Sequence, residues 1–161
     1  MITRVLILFL ITFTIIGCST NNSSTGNKIS FDQEKSMVYY VRHGKTKLLT
    51  IDYFLINESN NKIGPFTMKM NITNPKLLDF INEDKEEFPI LYGEKVTLDK
   101  SESHGYGAGT FEIKNEIPLN DLREIIEDNR SIEIQLINES GDIIISDWIQ
   151  KLNIVGITEG G

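Results

Sequence analysis

This chain of 161 residues is poor in the side chains that most metal and redox chemistry uses. It has a single cysteine, Cys18, and two histidines, His43 and His104. One cysteine cannot form a disulfide within the chain, and these three residues do not make a set of zinc ligands. Basic residues are also scarce, with 16 Lys and Arg against 23 Asp and Glu, and an acidic surface repels nucleic acid. We therefore expect no metal, no cofactor and no nucleic-acid partner.

A long apolar run is also missing, because residues 5–16 would cover only about 18 Å as a helix and a membrane span takes about 20 residues. Arg4 precedes this short run, and Gly17-Cys18 follows it. Together they resemble the signal peptide and lipobox of bacterial lipoproteins, with Ile15-Ile16-Gly17-Cys18 as the lipobox. The resemblance implies that residues 1–17 are removed and that the Cys18 sulfur carries a diacylglyceryl anchor on the extracytoplasmic side of the cell membrane. A plain secreted protein and an uncleaved anchor are the alternatives.

The residues after Cys18 predict a tether followed by one domain. Residues 19–28 are rich in Ser, Thr, Asn and Gly and have no apolar pattern. We therefore predict a lipidated N terminus and flexible tether over 18–35, a folded domain over 36–155 and a C-terminal tail over 156–161. Removal of Arg4 changes the net charge of −7 to −8, which disfavours flat adsorption of the domain to anionic lipid.

The domain shows β-type patterns separated by short turns. The clearest is 66–73, where Phe66, Met68, Met70 and Ile72 alternate with polar residues. The segment 47–57 is apolar on both faces, which predicts a central strand covered on both sides. Helices are predicted over 75–84, where Asn74-Pro75 forms the start, and over 121–129. Seven strands are predicted in all, over 37–42, 47–57, 66–73, 94–98, 110–117, 131–138 and 142–148.

Short turns between consecutive strands favour antiparallel pairing, and about seven strands with one or two short connecting helices predict a β-sandwich. The strand–helix–strand order near the C terminus, followed by a hairpin, resembles the last strands of many bacterial immunoglobulin-like domains. The buried cysteine pair of that family is absent. We therefore expect a mainly β fold, an antiparallel immunoglobulin-like β-sandwich without a disulfide.

One motif is similar to an enzyme signature. The segment Tyr40–Thr46, with Arg42-His43-Gly44 inside it, resembles the histidine phosphatase family, in which the His accepts a phosphoryl group and the Arg binds its oxygens. Ser103-His104-Gly105 is similar to that family's second His-Gly. The rest of the chain does not fit that family. The histidine phosphatase fold alternates parallel strands and helices, whereas Arg42-His43 is followed at once by another β pattern. A hairpin turn is the simpler interpretation.

Three further residues are candidates for binding. Residues 104–109 are Gly-rich and predict a flexible connection, or a loop that presents Tyr106 and His104 to a partner. Trp148, the only tryptophan, is either a core residue or a partner anchor. The acidic run 82–87 lacks calcium-loop spacing and fits a solvated helix end.

Together these patterns favour a lipid-anchored, non-catalytic protein that binds an envelope protein partner as an accessory or exclusion factor. A small-ligand carrier is the first alternative and would need an enclosed apolar cavity. A phosphohydrolase that uses His43 is a remote one.

Overall fold

The computed structural model describes residues 29–156, apart from the side chain of His43. The predicted signal peptide, the lipobox with Cys18, residues 19–28 of the predicted tether, and residues 157–161 lie outside the described residues.

Sheet I is built around the longest strand, β3. Its members are β1 (Ile29–Phe31), β2 (Met37–His43), β3 (Thr46–Asn57), β7 (Ser103–Glu112) and β10 (Leu152–Val155). β1 and β2 lie in succession along one edge of β3, and β7 lies along the other edge. β10 pairs with the far edge of β2 and runs parallel to it, whereas the other pairs of this sheet are antiparallel.

Sheet II is antiparallel and has the order β5-β4-β8-β9, with β6 also on β4. Its members are β4 (Ile63–Ile72), β5 (Glu87–Pro89), β6 (Val96–Leu98), β8 (Ile132–Ile137) and β9 (Ile143–Trp148). Helix α1 (Pro75–Ile81) follows β4, and Asn74 caps it by accepting from the N–H groups of Lys76 and Leu77. A 3-10 turn, Ile90–Gly93, joins β5 to β6. Helix α2 (Leu119–Arg123) continues into a π-helical turn, Glu124–Asp128, between β7 and β8.

One hydrophobic core contains residues from the two sheets. On β4 the predicted alternation is confirmed, since Phe66, Met68, Met70 and Ile72 are all at most 2% exposed. The Tyr53 hydroxyl of β3 donates to Met68 Sδ of β4 at 2.7 Å, which joins the sheets at the centre. The prediction of a mainly β fold with few helices is confirmed, and two sheets around one core are compatible with a β-sandwich.

Two details of the predicted fold differ from the structure. Residues 29–156 contain ten strands, not about seven, because β1, β5 and β10 have three or four residues and are too short to show an alternation. The pairing is also not wholly antiparallel, since β10 lies parallel to β2. The chain returns to β2 only after β9 of sheet II, so the direction of this pair is not set by a hairpin.

The Gly-rich segment is strand and not loop. Residues 104–109 lie inside β7, and the predicted strand over 110–117 ends at Glu112. The long edge of β3 supplies a paired residue for each position of the segment except Ala108, where the register shifts. Aromatic rings cover two of the glycines, with the Phe54 ring over Gly105 and the Phe111 ring beside Gly109. Ring cover of this kind lets glycines persist in a strand.

Candidate functional site

The outer face of sheet I carries apolar side chains that stay partly exposed. Register places them opposite one another on β2 and β3, for example Val41 against Leu48. Val155, at the end of β10, is 41% exposed beside Val41. We call this surface the open face; its apolar residues are Met37, Tyr39, Val41, Leu48, Phe54, Ile56 and Val155. The sequence predicts that β3 is covered on both sides, but within residues 29–156 only its inner side chains are fully buried.

A small hollow lies in the open face between β3 and β7. Phe54 lies opposite Gly105, and Asp52 lies opposite Gly107. Because both β7 positions lack a side chain, the surface dips there to form a cleft of about 220 Å³ lined by Asp52, Phe54 and residues 105–107. A Cβ on Gly105 would lie 2.6 Å from the Phe54 ring, whereas a Cβ on Gly107 would lie 3.8 Å from Asp52 Oδ1. The ring therefore rests on Gly105, and space remains above Gly107. We call this cleft the Asp52 hollow.

The Asp52 carboxylate of this hollow is partly buried. Burial raises its pKa, and no hydrogen bond or neighbouring charge acts in the opposite direction. The nearby Lys35 ammonium lies 5.8 Å from the centroid of the Phe54 ring but pairs with Asp32 at 3.0 Å. In the part of the chain that the structure describes, Asp52 forms no salt bridge.

Two of the predicted binding residues meet on the opposite side of sheet I. Tyr106 stacks on the buried Tyr53 with ring centroids 5.5 Å apart. The His104 ring lies 4.5 Å from the Tyr106 ring, and His104 Nδ1 is 3.5 Å from Glu102 Oε1. Burial, with a smaller contribution from Glu102, raises the pKa of Tyr106. Tyr106 is therefore packed against the core and is not presented by a loop, while the His104 side chain is 52% exposed.

Trp148 lies apart from these two residues. It is in β9, opposite Glu133, and is partly exposed rather than part of the hydrophobic core. Register places it on the outer side of sheet II with Glu133 and Asn71. The Glu133 carboxylate accepts from the amides of Asn71 and Gln135, so hydrogen bonds link these three polar side chains on this surface.

The histidine motif does not bring its members together along sheet I. His43 pairs with Thr46 at one end of β3, and His104 pairs with Leu55 near the other end. Nine strand positions correspond to about 30 Å. Arg42 is exposed at the same end as His43.

Within residues 29–156 no group of three His, Cys, Asp or Glu side chains is placed to hold a metal ion. The helices of that region are all too short to cross a membrane.

No protein-family model, no curated protein and no solved structure matches this chain. What the protein binds is therefore inferred from the geometry of its own residues.

The sequence analysis did not single out Asp52, Phe54 or Gly107. A signal was present, since Asp52 is the one charged residue among the apolar positions of 48–56. The pairing that sets Gly107 beside Asp52 depends on tertiary structure. It includes a register shift in β7 near Ala108, and the local pattern does not encode that shift.

Proposed function

We propose that this protein is a lipid-anchored, extracytoplasmic binding module that acts without catalysis on an envelope protein partner, as an accessory or exclusion factor. The observation that carries the proposal is the open face, where seven partly exposed apolar side chains adjoin the carboxylate of Asp52, which forms no salt bridge within residues 29–156. Contiguous apolar patches rimmed by polar groups mark interaction surfaces on soluble domains. The roughly 30 Å between the backbones of His43 and His104 supports a binding role over phosphoryl transfer.

We also propose that the fold is a disulfide-free variant of the immunoglobulin sandwich. Strand order supports this, because β2-β3-β7 and β9-β8-β4 have the neighbour relations of strands A-B-E and G-F-C in that fold. β1 and β2 then count as one interrupted strand A, and β5 with β6 as the added edge strand C′. Strand β10 is an addition to the pattern.

The proposal of a lipid anchor depends on the sequence of residues 4–18, and one substitution tests it. Cys18→Ser removes the sulfur that would carry the lipid, so we expect the protein to leave the membrane fraction and to take up no labelled acyl chain. Gly17→Ala, a substitution between small residues at the preceding position, is the matched control and should keep both properties. Membrane retention of Cys18→Ser, together with no acyl label on the wild type, would contradict the proposal.

Site-specific photocrosslinking tests the binding role. A photoreactive residue is placed at Thr50, which lies on the open face, or at Ser146, which lies on the outer side of sheet II. In cells that carry the anchored protein, we expect one discrete crosslinked envelope protein from position 50 and none from position 146. Equal crosslinking from the two positions, or none from position 50, would contradict a binding role for the open face.

A further inference from the structure

We propose that the Asp52 hollow receives one arginine side chain of the protein partner, with its guanidinium paired to the Asp52 carboxylate and stacked on the Phe54 ring. This inference rests on the proposed binding function and names the chemistry that the open face recognises.

The negative charge of Asp52 is the first reason to expect a cationic ligand in the hollow. Removing a carboxylate from water is unfavourable unless a cation or hydrogen-bond donors replace the water. Asp52 is partly buried among apolar neighbours, and burial alone sets the direction of its pKa shift. The Lys35 ammonium, which lies 5.8 Å from the centroid of the Phe54 ring, pairs with Asp32, and no salt bridge within residues 29–156 includes Asp52. A cation from outside is therefore the missing partner, and an acidic chain attracts one.

The shape of the hollow limits the size of the ligand. Its volume of about 220 Å³ lies below the roughly 300–1,000 Å³ of pockets that enclose small organic ligands. It is open to solvent and set in an apolar surface, so one side chain from a flat protein surface fits it better than a free metabolite does. Gly107 keeps it open, because any side chain at that position would project beside Asp52.

Phe54 favours arginine over lysine. Its ring rests on Gly105, which holds it next to Asp52, two residues away on the same face of β3. A planar guanidinium can stack on an aromatic ring and pair with a carboxylate at the same time, and it sheds water more readily than an ammonium. Arginine is also enriched among the residues that dominate protein interfaces.

The experiment uses the mature chain, residues 18–161, with Cys18→Ser for solubility and ¹⁵N labelling for NMR. The probe is N-acetyl-arginine methylamide, compared with the uncharged citrulline analogue and with the lysine analogue. We expect saturable shifts for the arginine probe, confined to the amides of Asp52, Phe54 and residues 105–107. Citrulline should give none, and lysine should bind at least threefold more weakly. Equal shifts from citrulline or lysine, or arginine shifts spread over both sheets, would overturn the proposal.

Variants test whether arginine binding depends on the Asp52 hollow or only on the net negative charge of the protein. Asp52→Asn should weaken arginine binding at least tenfold, and Gly107→Val should block it by filling the hollow. Gly107 does not have a positive φ, so the backbone accepts valine. Glu133→Gln on the outer side of sheet II is the matched carboxylate control and should not alter binding. Unchanged binding in Asp52→Asn would overturn the arginine site.

The same variants distinguish the two proposals in cells. Loss of the position-50 crosslink in Asp52→Asn, with the crosslink retained in Glu133→Gln, would support the arginine site. A crosslink that survives Asp52→Asn would leave the binding function standing and overturn the arginine site. No crosslink from position 50 in the parent protein would contradict the binding function itself.

Discussion

Asn57 is a polar residue in the core that is fully satisfied. It ends β3 and is 0% exposed. Its Nδ2 donates to the carbonyls of Asn61 and Asp99, each at 2.8 Å, and its Oδ1 accepts from the N–H and hydroxyl of Ser59. One amide therefore fastens the β3–β4 turn to the segment between β6 and β7. A buried network of this kind stabilises the fold only while every member stays paired.

Asn57→Ala should lower the free energy of unfolding by about 2–4 kcal/mol, because several hydrogen bonds are lost and the N–H of the buried Ser59 loses its acceptor. Asn61→Ala is the matched control, since Asn61 joins the network through its backbone and its side chain is exposed. Its effect should stay within about 0.5 kcal/mol. Urea unfolding curves of the two variants measure the difference. Similar losses for both would mean that the loops are held by something other than the Asn57 amide.

Asp52 and Asp32 should respond to pH in opposite directions. The pKa of Asp52 is raised in the fold, so its contribution to stability is present at low pH and lost as the pH rises through the folded pKa. Asp52→Asn should therefore stabilise the protein at pH 7, by less than about 1 kcal/mol after solvent screening, and the gain should vanish near pH 3. The Lys35 ammonium holds the pKa of Asp32 below its usual value, so Asp32→Asn should destabilise at pH 7 and converge with wild type in acid. Melting temperatures across this pH range measure both effects, and the same sign for the two variants at pH 7 would contradict the assignment.

Elements with a complete local signal were predictable from the sequence. The alternation of β4, the Asn74-Pro75 start of α1 and the β8–β9 hairpin all depend on residues close together in the chain. The elements that were missed depend on distant partners, as β1 and β5 are three-residue strands that pair near the C-terminal ends of β3 and β4. β7 is the extreme case, because its glycines predict a loop and only the long edge of β3 makes them a strand. The Asp52 hollow was missed for the same reason, since residues 105–107 of β7 form one side of it.

Adjacent substitutions in β4 test whether its register is correct. Met70 is 0% exposed, and Met70→Lys would bury an unpaired ammonium at a cost of about 3–5 kcal/mol. Lys69 points outward and pairs with Glu87 at 3.0 Å, so Lys69→Met should change stability by under about 1 kcal/mol. Thermal unfolding followed by circular dichroism compares the two. Equal losses of stability in the two variants would mean that the register of β4 is shifted by one residue, and the assignment of its core residues would then be wrong.

At the scale of the whole molecule, the structure places the start of the fold earlier than the sequence analysis does. The predicted tether extends to Lys35, yet Ile29–Phe31 pair with residues 55–57 of β3 as strand β1. Phe31 packs near Tyr53 with ring centroids 6.4 Å apart, and the Ser36 hydroxyl accepts from the Phe54 N–H. Residues 29–36 therefore form a bent continuation of β2 that covers one end of β3. Two apolar residues among polar ones were too weak a pattern to reveal this in the sequence.

Truncation shows whether β1 belongs to the cooperative unit. A chain that begins at residue 28 keeps β1 and should unfold in urea in a single transition, because it retains every described strand. A chain that begins at residue 36 loses Ile29 and Phe31, both of which pack against the core. It should be less stable by about 2–3 kcal/mol, since each side chain gives up part of the roughly 1.5–3 kcal/mol of full burial. Equal urea midpoints would place the end of the tether at Lys35, as the sequence predicts, and β1 would then contribute nothing to stability. A lower midpoint for the shorter chain alone would bring the folded domain within eleven residues of the proposed anchor at Cys18.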